Sequence, residues 1–219
     1  MNLANNECVI LLHGLARTVR SMKKMEKALS TVGYQVINVS YPSRTENIET
    51  LSTEYIPKMI EQCNRYRPNR IHFVTHSMGG ILIRHYLSRH TIANLGRIVM
   101  LSPPNQGSEV VDKLKAVPGY NFVNGPAGQQ LGTDHNSIPL SLPAVDYPVG
   151  IITGNKTINF VLSTLISGEN DGKVSTASAK LDGMADLRIV AHTHPLIMRS
   201  QKVIDFTQYF LQSGKFGPQ

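Results

Sequence analysis

The sequence is poor in cysteine and in aromatic residues: it has two cysteines, no tryptophan and 6% Phe, Trp and Tyr in 219 residues. Cys8 and Cys63 are too few for a disulfide framework and lack the spacing of metal ligands. No apolar run approaches the roughly 18 residues that a membrane span needs. The opening segment, MNLANNECVILLHG, has no basic region ahead of its short apolar run, unlike a signal peptide. We therefore expect a cytoplasmic protein, although a chain trimmed of its leader would look the same.

Charged residues are also few, at 17%, and they are unbalanced, since 22 Lys and Arg against 15 Asp and Glu give a net charge of +7. The basic residues are scattered, with no long basic tract and no nucleic-acid motif, so we expect no nucleic-acid partner. Scattered basic residues are typical of solvated helix faces, and they allow weak peripheral contact with an anionic membrane surface. A hydrophobic content of 41% fits an ordinary globular protein. A monomer is the default expectation.

Strand-like runs follow one another along the chain, and each ends in glycine, proline or polar residues. A continuous apolar run is typical of a strand buried on both faces. Six runs predict strands: CVILLHG (8–14), YQVINVSYPS (34–43), RIHFVT (70–75), RIVMLSPP (97–104), YPVGIITGN (147–155) and DLRIVAH (186–192).

Helix-like segments separate most of these strands. Apolar residues recur at helical spacing in 22–32, in 48–63, from Met78 to about Arg89, and from about Pro195 to Gln212. Pro57 predicts a kink or a late start in the second of these helices. The alternation predicts a single α/β domain over 1–219, built on a mostly parallel six-stranded sheet with helices on both faces.

Residues 105–146 interrupt the alternation and are rich in glycine, proline and asparagine. Only SEVVDKLKAV within them has the pattern of a helix. Long segments of this kind in compact domains are usually functional or mobile. We predict a cap or a substrate-binding segment, and the alternative is a plain surface excursion.

The stretch FVTHSMGGILIRHYL (73–87) places Ser77 between a predicted strand and a predicted helix. A serine on such a sharp turn has an unfavourable backbone conformation, and small residues two positions away must allow the chain to approach closely. This is the nucleophile elbow, usually written G-x-S-x-G. Thr75-His76-Ser77-Met78-Gly79 matches it except at the first position, which Thr75 fills. A compact strand-to-helix junction without chemistry is the alternative.

A serine nucleophile also needs hydrogen-bond donors for the oxyanion that forms in the reaction. His13-Gly14 ends the first strand in LLHGLA (11–16), so the backbone N–H of Leu15 could face the serine. The second donor would be the N–H of Met78, at the start of the helix after the elbow. An ordinary strand that ends in glycine is an equally good interpretation of 11–16.

An orienting carboxylate and a histidine base should follow the serine in the chain. Asp171 lies in a turn after the fifth strand, and it is favoured over three other aspartates, Asp146, Asp182 and Asp186. Asp before Gly is also common in plain turns. His192 and His194 follow the sixth strand. We favour His194 as the base because it precedes Pro195, a good first helical residue, whereas His192 closes the strand.

With these motifs, the sequence resembles the α/β-hydrolase superfamily. It looks like the small bacterial lipases and esterases with HSMGG at the elbow, and is similar to lipid deacylases that act on acyl-inositol glycolipids. The matching stretches are VILLHGLART (9–18), VTHSMGGILIRHYL (74–87), VMLSPPNQGSE (99–109), ENDGKVS (169–175) and HTHPLIM (192–198). The chain departs from the family in Thr75, which demands room behind the elbow, and in lacking two opening strands of larger relatives.

The resemblance implies roles for the five residues. Ser77 would be the nucleophile, His194 the base and Asp171 the orienting acid, with Leu15 and Met78 as oxyanion donors. It implies hydrolysis of carboxylic esters, with acyl-glycerol or other lipid esters as substrates, and no metal or organic cofactor. An acyltransferase or a thioesterase with the same triad is the alternative, and a non-catalytic binding protein on this fold is a third reading.

Overall fold

Parallel strands form the centre of the structure, a computed structural model that describes residues 6–158 and 163–218. Within these ranges the sheet has six strands in the order β2-β1-β3-β4-β5-β6, and every neighbouring pair is parallel. The strands are β1 (Glu7–Leu12), β2 (Gln35–Asn38), β3 (Arg70–His76), β4 (Leu95–Leu101), β5 (Val149–Gly154) and β6 (Asp186–Val190). The predicted mostly parallel six-stranded sheet is confirmed. All six carboxyl ends lie at one edge, where open α/β sheets bind ligands.

The central strands are buried on both faces because apolar residues occupy both alternating positions. In β1, Val9 and Leu11 belong to one core cluster, whereas Cys8, Ile10 and Leu12 belong to the other, and all are fully buried. Such continuous burial requires helices on both sides of the sheet. The two clusters are therefore the two faces of one sandwich of helix, sheet and helix.

Helices cover both faces. The helices before the 105–146 segment are α1 (Val19–Thr31), α2 (Ile48–Thr50), α3 (Ile56–Asn64) and α4 (Met78–Leu87). A π-helical turn, Leu51–Tyr55, joins α2 to α3. Pro57 has no N–H to donate to the preceding turn, which accounts for the wider turn just before it. No helix within the described ranges is both long enough and apolar enough to cross a membrane.

The 105–146 segment contains three short helices, α5 (Glu109–Leu114), α6 (Tyr120–Gln129) and α7 (Ile138–Ser141). The expectation that only SEVVDKLKAV is helical is therefore wrong. Gly125 divides α6 with a φ of 64°, and Pro126 follows it. A side chain at Gly125 would collide with the Arg44 carbonyl oxygen. Gly125 and Pro126 make this segment look like a loop in the sequence, but in the structure they form a kink within α6.

The last helix, α8 (Gln201–Ser213), begins later than predicted. A 3₁₀ turn, Ile197–Arg199, precedes it, and Ser200 at its N-cap is extended with a ψ of 132°. The predicted start at Pro195 is wrong because the extended Ser200 separates the turn from the helix. His194 consequently lies on a loop, seven residues before the first residue of α8.

Cys8 on β1 and Cys63 on α3 form a disulfide, which the cysteine count did not indicate. Both side chains are fully buried, and their Cα atoms lie 5.9 Å apart. The residues are 55 apart in sequence, and the chain-entropy model assigns a loop of that size a stabilisation of roughly 4 kcal/mol. The disulfide ties α3 to the strand that leads into residues 13–16.

Candidate active site

Ser77 is the one residue between the end of β3 and the start of α4, and its φ is 53°. Few residues other than glycine adopt a positive φ. A Cβ at Gly79 would lie 2.5 Å from the Leu12 carbonyl oxygen, so only glycine fits there. A Cβ at Gly80 would lie 3.3 Å from Thr75 Oγ1. Gly80 thus supplies the room that Thr75 requires behind the elbow.

The three residues predicted as a triad form one hydrogen-bonded chain. Ser77 Oγ lies 3.0 Å from His194 Nε2, and His194 Nδ1 lies 2.8 Å from Asp171 Oδ2. With the proton on Nδ1, the ring donates to the carboxylate and presents a lone pair to the serine hydroxyl. The histidine is buried and the serine lines a cavity, so the hydroxyl faces the space a substrate would enter.

Asp171 is held by backbone donors as well as by His194. Its Oδ1 accepts hydrogen bonds from the N–H groups of Lys173 and Val174, at 3.0 and 2.9 Å. Burial acts to raise the pKa of Asp171, but the charge and hydrogen bond of His194 and the Val174 N–H outweigh it, so the pKa lies below its usual value. The carboxylate therefore stays ionised beside the imidazole at neutral pH.

The competing candidates lie elsewhere. Asp182 and Asp146 are exposed, and Asp186 accepts hydrogen bonds from the backbone of Leu187 and Phe216. His192 is half-buried, and its backbone N–H bonds back to the Val190 carbonyl. None of these four side chains is hydrogen-bonded to Ser77 within the described residues.

The turn at Gly14 lies against the elbow. A Cβ at Gly14 would lie 2.9 Å from His76 Nδ1 and 3.2 Å from Ser77 Cβ. Leu15 lines the cavity with Ser77, and its N–H donates no hydrogen bond among the described residues. The N–H of Met78, first residue of α4, has no acceptor within its helix. Neither predicted oxyanion donor is therefore engaged by an acceptor among the described residues.

Tyr41 supports this turn, and the sequence did not single it out. Its ring stacks on the His13 imidazole with centroids 3.9 Å apart, and its hydroxyl donates to the His13 carbonyl oxygen. The N–H of Ala16 donates to Ser43 Oγ at 3.1 Å. These bonds hold the backbone on both sides of Leu15.

His76, the residue before the nucleophile candidate, is buried against His194. Its Nε2 lies 3.0 Å from the His194 carbonyl oxygen. The two rings have centroids 4.9 Å apart. Burial, followed by the charge of His194, lowers the pKa of His76 well below its usual value, so the ring is neutral. A neutral Nε2–H can donate to that carbonyl and position the loop that carries His194.

A cavity of about 290 Å³ opens at Ser77. Its walls are mainly apolar, and much of the lining comes from the 105–146 segment. The apolar lining residues include Val110, Val111, Leu114, Val123, Leu131 and Val174. An apolar cleft with a few polar groups at one point is the usual form of a small-molecule site. Within the described part of the chain, no group of three or more His, Cys, Asp or Glu residues is arranged to hold a metal ion.

Comparison with known families gives one match. The model of the palmitoyl protein thioesterase family matches residues 8–137. This range contains the turn at Gly14 and the elbow at Ser77, and it ends before Asp171 and His194. A search of curated protein sequences finds no match.

Several solved structures are similar to the chain. The mature lipase BlEst2 of Bacillus licheniformis is 19% identical with a TM-score of 0.77, covering 95% of this chain and 93% of the lipase. Phospholipase PlaB of Legionella pneumophila, in complex with thio-NAD, is 17% identical with a TM-score of 0.72, covering 94% of this chain and 57% of that one. Aspergillus fumigatus lipase B is 15% identical with a TM-score of 0.66, covering 98% and 54%. These likenesses confirm the predicted α/β-hydrolase fold.

Proposed function

The chain belongs to the palmitoyl protein thioesterase family, and on that premise we propose that it is a serine hydrolase that cleaves lipid acyl esters. One observation carries the proposal. The hydrogen-bonded chain from Ser77 through His194 to Asp171 ends at an apolar cavity, where an acyl group could lie. A nucleophile, a base within hydrogen-bond reach and a group that orients the base are what acyl transfer requires.

The proposed reaction has two steps. Ser77 Oγ attacks the ester carbonyl while its proton passes to His194 Nε2, and the N–H groups of Leu15 and Met78 stabilise the oxyanion. The protonated imidazole then donates that proton to the leaving alcohol. Water, deprotonated by the same nitrogen, hydrolyses the acyl-enzyme and restores the serine. Asp171 keeps the Nδ1 proton in place throughout, and no cofactor takes part in this mechanism.

A thioester is the second candidate substrate, because the matching family is named for thioester cleavage. The same residues would act, with a thiol as the leaving group. An acyltransferase would differ only in the acceptor that attacks the acyl-enzyme. Matched oxygen ester and thioester substrates, with and without added alcohol, separate these activities by the ratio of products.

We propose further that residues 105–146 form the acyl-binding segment, since α5 and α6 contribute to the cavity wall. The resemblance to acyl-inositol glycolipid deacylases concerns only the head group and stays a prediction. The monomer and the cytoplasmic location also stay predictions. The Cys8–Cys63 disulfide is a reason to test an oxidising compartment as well, because disulfides persist there.

The test is labelling of the purified protein with a serine-directed fluorophosphonate, followed by peptide mass mapping. We expect an adduct on Ser77 and hydrolysis of p-nitrophenyl esters of graded chain length. Ser77→Ala should lose both. Ser88→Ala, at the far end of α4, should lose neither. A folded protein that forms no adduct and hydrolyses no ester would contradict the proposal and favour a binding role.

A further inference from the structure

Two basic side chains border the candidate site and have no role in the proposed reaction. Arg17 follows the turn at Gly14, and Lys173 lies two residues after Asp171. Both line the same cavity as Ser77, and both are exposed at its mouth. Within the described residues, neither side chain donates a hydrogen bond or forms an ion pair.

The two positive charges lie close enough to act on one another and on the elbow. Loss of hydration among neighbouring protein atoms disfavours the charged ammonium group and lowers the pKa of Lys173. The positive charge of Arg17 lowers this pKa further, and the negative charge of Asp171 acts to raise it. Both cations also lower the pKa of His76, the residue before the nucleophile, after the larger effects of burial and His194. Two like charges held together without a counter-charge are unfavourable unless an anion joins them.

The acidic residues of the neighbouring α5 are engaged elsewhere. Glu109 accepts hydrogen bonds from the Ser167 N–H and hydroxyl, and Asp112 accepts from Thr133 and lies 3.7 Å from Lys115. Among the described residues, the one carboxylate whose charge acts on Lys173 is Asp171, which is buried and hydrogen-bonded to His194. In the part of the chain that the structure describes, Arg17 and Lys173 are thus two cations without a hydrogen-bonded carboxylate, and they lie on the loops that carry the turn at Gly14 and Asp171.

We propose that Arg17 and Lys173 form an anion subsite, and that the substrate is an acyl ester with a phosphate group a few bonds from the ester that Ser77 attacks. This inference rests on the proposed function. A phosphate has several oxygens to share between two cations, and an arginine can bind two of them at once. The apolar wall of the cavity would contact the acyl chain, while the phosphate would lie at the solvent-exposed opening of the cavity. A phosphoglyceride is the chemical class that combines these groups.

The experiment compares dihexanoyl glycerol phosphate with uncharged dihexanoyl glycerol, at concentrations where both are monomeric. The readout is the ratio of their kcat/KM values, which cancels any loss of folded enzyme. We expect the wild type to prefer the phosphate ester. Arg17→Gln and Lys173→Gln should each lower the ratio by about tenfold. Lys23→Gln removes the same charge from an exposed site on α1 and should leave the ratio unchanged.

Equal turnover of the two esters by the wild type, or a ratio that survives both substitutions, would overturn the subsite. If the wild type hydrolyses neither ester, that result would instead contradict the proposed function. Calorimetric binding of dihexanoyl glycerol phosphate to the Ser77→Ala protein decides the subsite independently of turnover. Binding that weakens when Arg17→Gln or Lys173→Gln is added supports the subsite, and binding unaffected by either, or no binding, refutes it.

Discussion

Individual residues of the site are held by backbone bonds rather than by flexible side chains alone. The N–H of Ser77 donates to the Leu101 carbonyl oxygen at 2.8 Å, which ties the strained elbow to β4. The N–H of His194 donates to the Asp171 carbonyl oxygen at 3.0 Å, so the two loops meet through main chain and side chain. Groups fixed in this way need little rearrangement during the reaction.

Asp171→Asn tests the role proposed for the carboxylate. The asparagine can still accept the Lys173 and Val174 N–H groups, but its amide would donate to His194 Nδ1. That reverses the imidazole tautomer, so Nε2 would carry a proton and could not accept one from Ser77. We expect kcat to fall by about 10⁴-fold with little change in KM.

The steady-state rate of p-nitrophenyl ester hydrolysis measures this loss of kcat. The rate at which the fluorophosphonate labels Ser77 should fall in parallel. Asp182→Asn removes a carboxylate from an exposed position and should retain activity. A loss below tenfold in Asp171→Asn would contradict the assigned role.

The sequence predicted the positions of these residues because each follows a recognisable strand. Parallel strands share their carboxyl edge, so polar residues after β3, β5 and β6 had to converge. The sequence did not indicate Arg17 and Lys173 as a pair, because the direction of loop side chains depends on the packed structure. The roles of Ser77, Asp171 and His194 stay predictions that the substitutions above test.

Among the elements, the elbow depends on how closely α4 approaches β1. At the start of α4, Gly79 lies against the backbone of Leu12, whereas Gly80 faces the side chains of Thr75, Met100 and Pro103. The backbone of a central strand cannot move without disturbing its hydrogen bonds to the neighbouring strands, but side chains can shift by a few tenths of an ångström. The two adjacent glycines therefore differ in what they tolerate.

Gly79→Ala should destabilise the protein by about 1–3 kcal/mol, since the new methyl group would displace the Leu12 carbonyl and the turn at Gly14 that follows it. Gly80→Ala meets side-chain atoms at 3.1 to 3.4 Å. Its gain in helix propensity, about 1 kcal/mol, should largely offset that crowding. Urea unfolding of both variants measures the difference. Equal stabilities would show that β1 yields more easily than its burial implies.

Elements also mark where prediction from the sequence failed. The helix α6 has too few periodic apolar residues to be recognised, because Phe122 is 85% exposed and Val123, 52% exposed, lines the cavity rather than a core, while the kink at Gly125 resets the helical face. The start of α8 was misplaced because Pro195 suits a first helical position as well as it suits the turn it occupies. The helix preferences of the nearby residues do not determine the structure in either case. Packing against the rest of the chain determines it in both.

At the scale of the whole molecule, folding buries several histidines. His13, His72, His76 and His85 are all at most 1% exposed. Burial is the largest influence on each, and it lowers all four pKa values. His76 Nδ1 and His85 Nε2 have no hydrogen-bond partner among the described residues. A proton added at either nitrogen would place an unpaired charged donor in the core.

The stability of the protein should therefore fall as the pH falls below about 6.5. Below that value histidines in the unfolded chain bind protons that the folded protein does not, so acid favours unfolding. Each such histidine adds at most about 1.4 kcal/mol per pH unit to the slope. The lowered pKa of Asp171 acts in a separate window, because its contribution is lost only as the pH falls below about 4.

Urea unfolding at pH 7.5, 6.5 and 5.5 measures this slope. We expect the free energy of unfolding to change little between the first two values and to drop clearly at pH 5.5. His85→Gln should flatten the slope because it removes one of the four groups, while His135→Gln, at an exposed position, should not. A free energy that is constant down to pH 5.5 would mean that the folded protein takes up protons at these histidines, and that the cores open more readily than their burial implies.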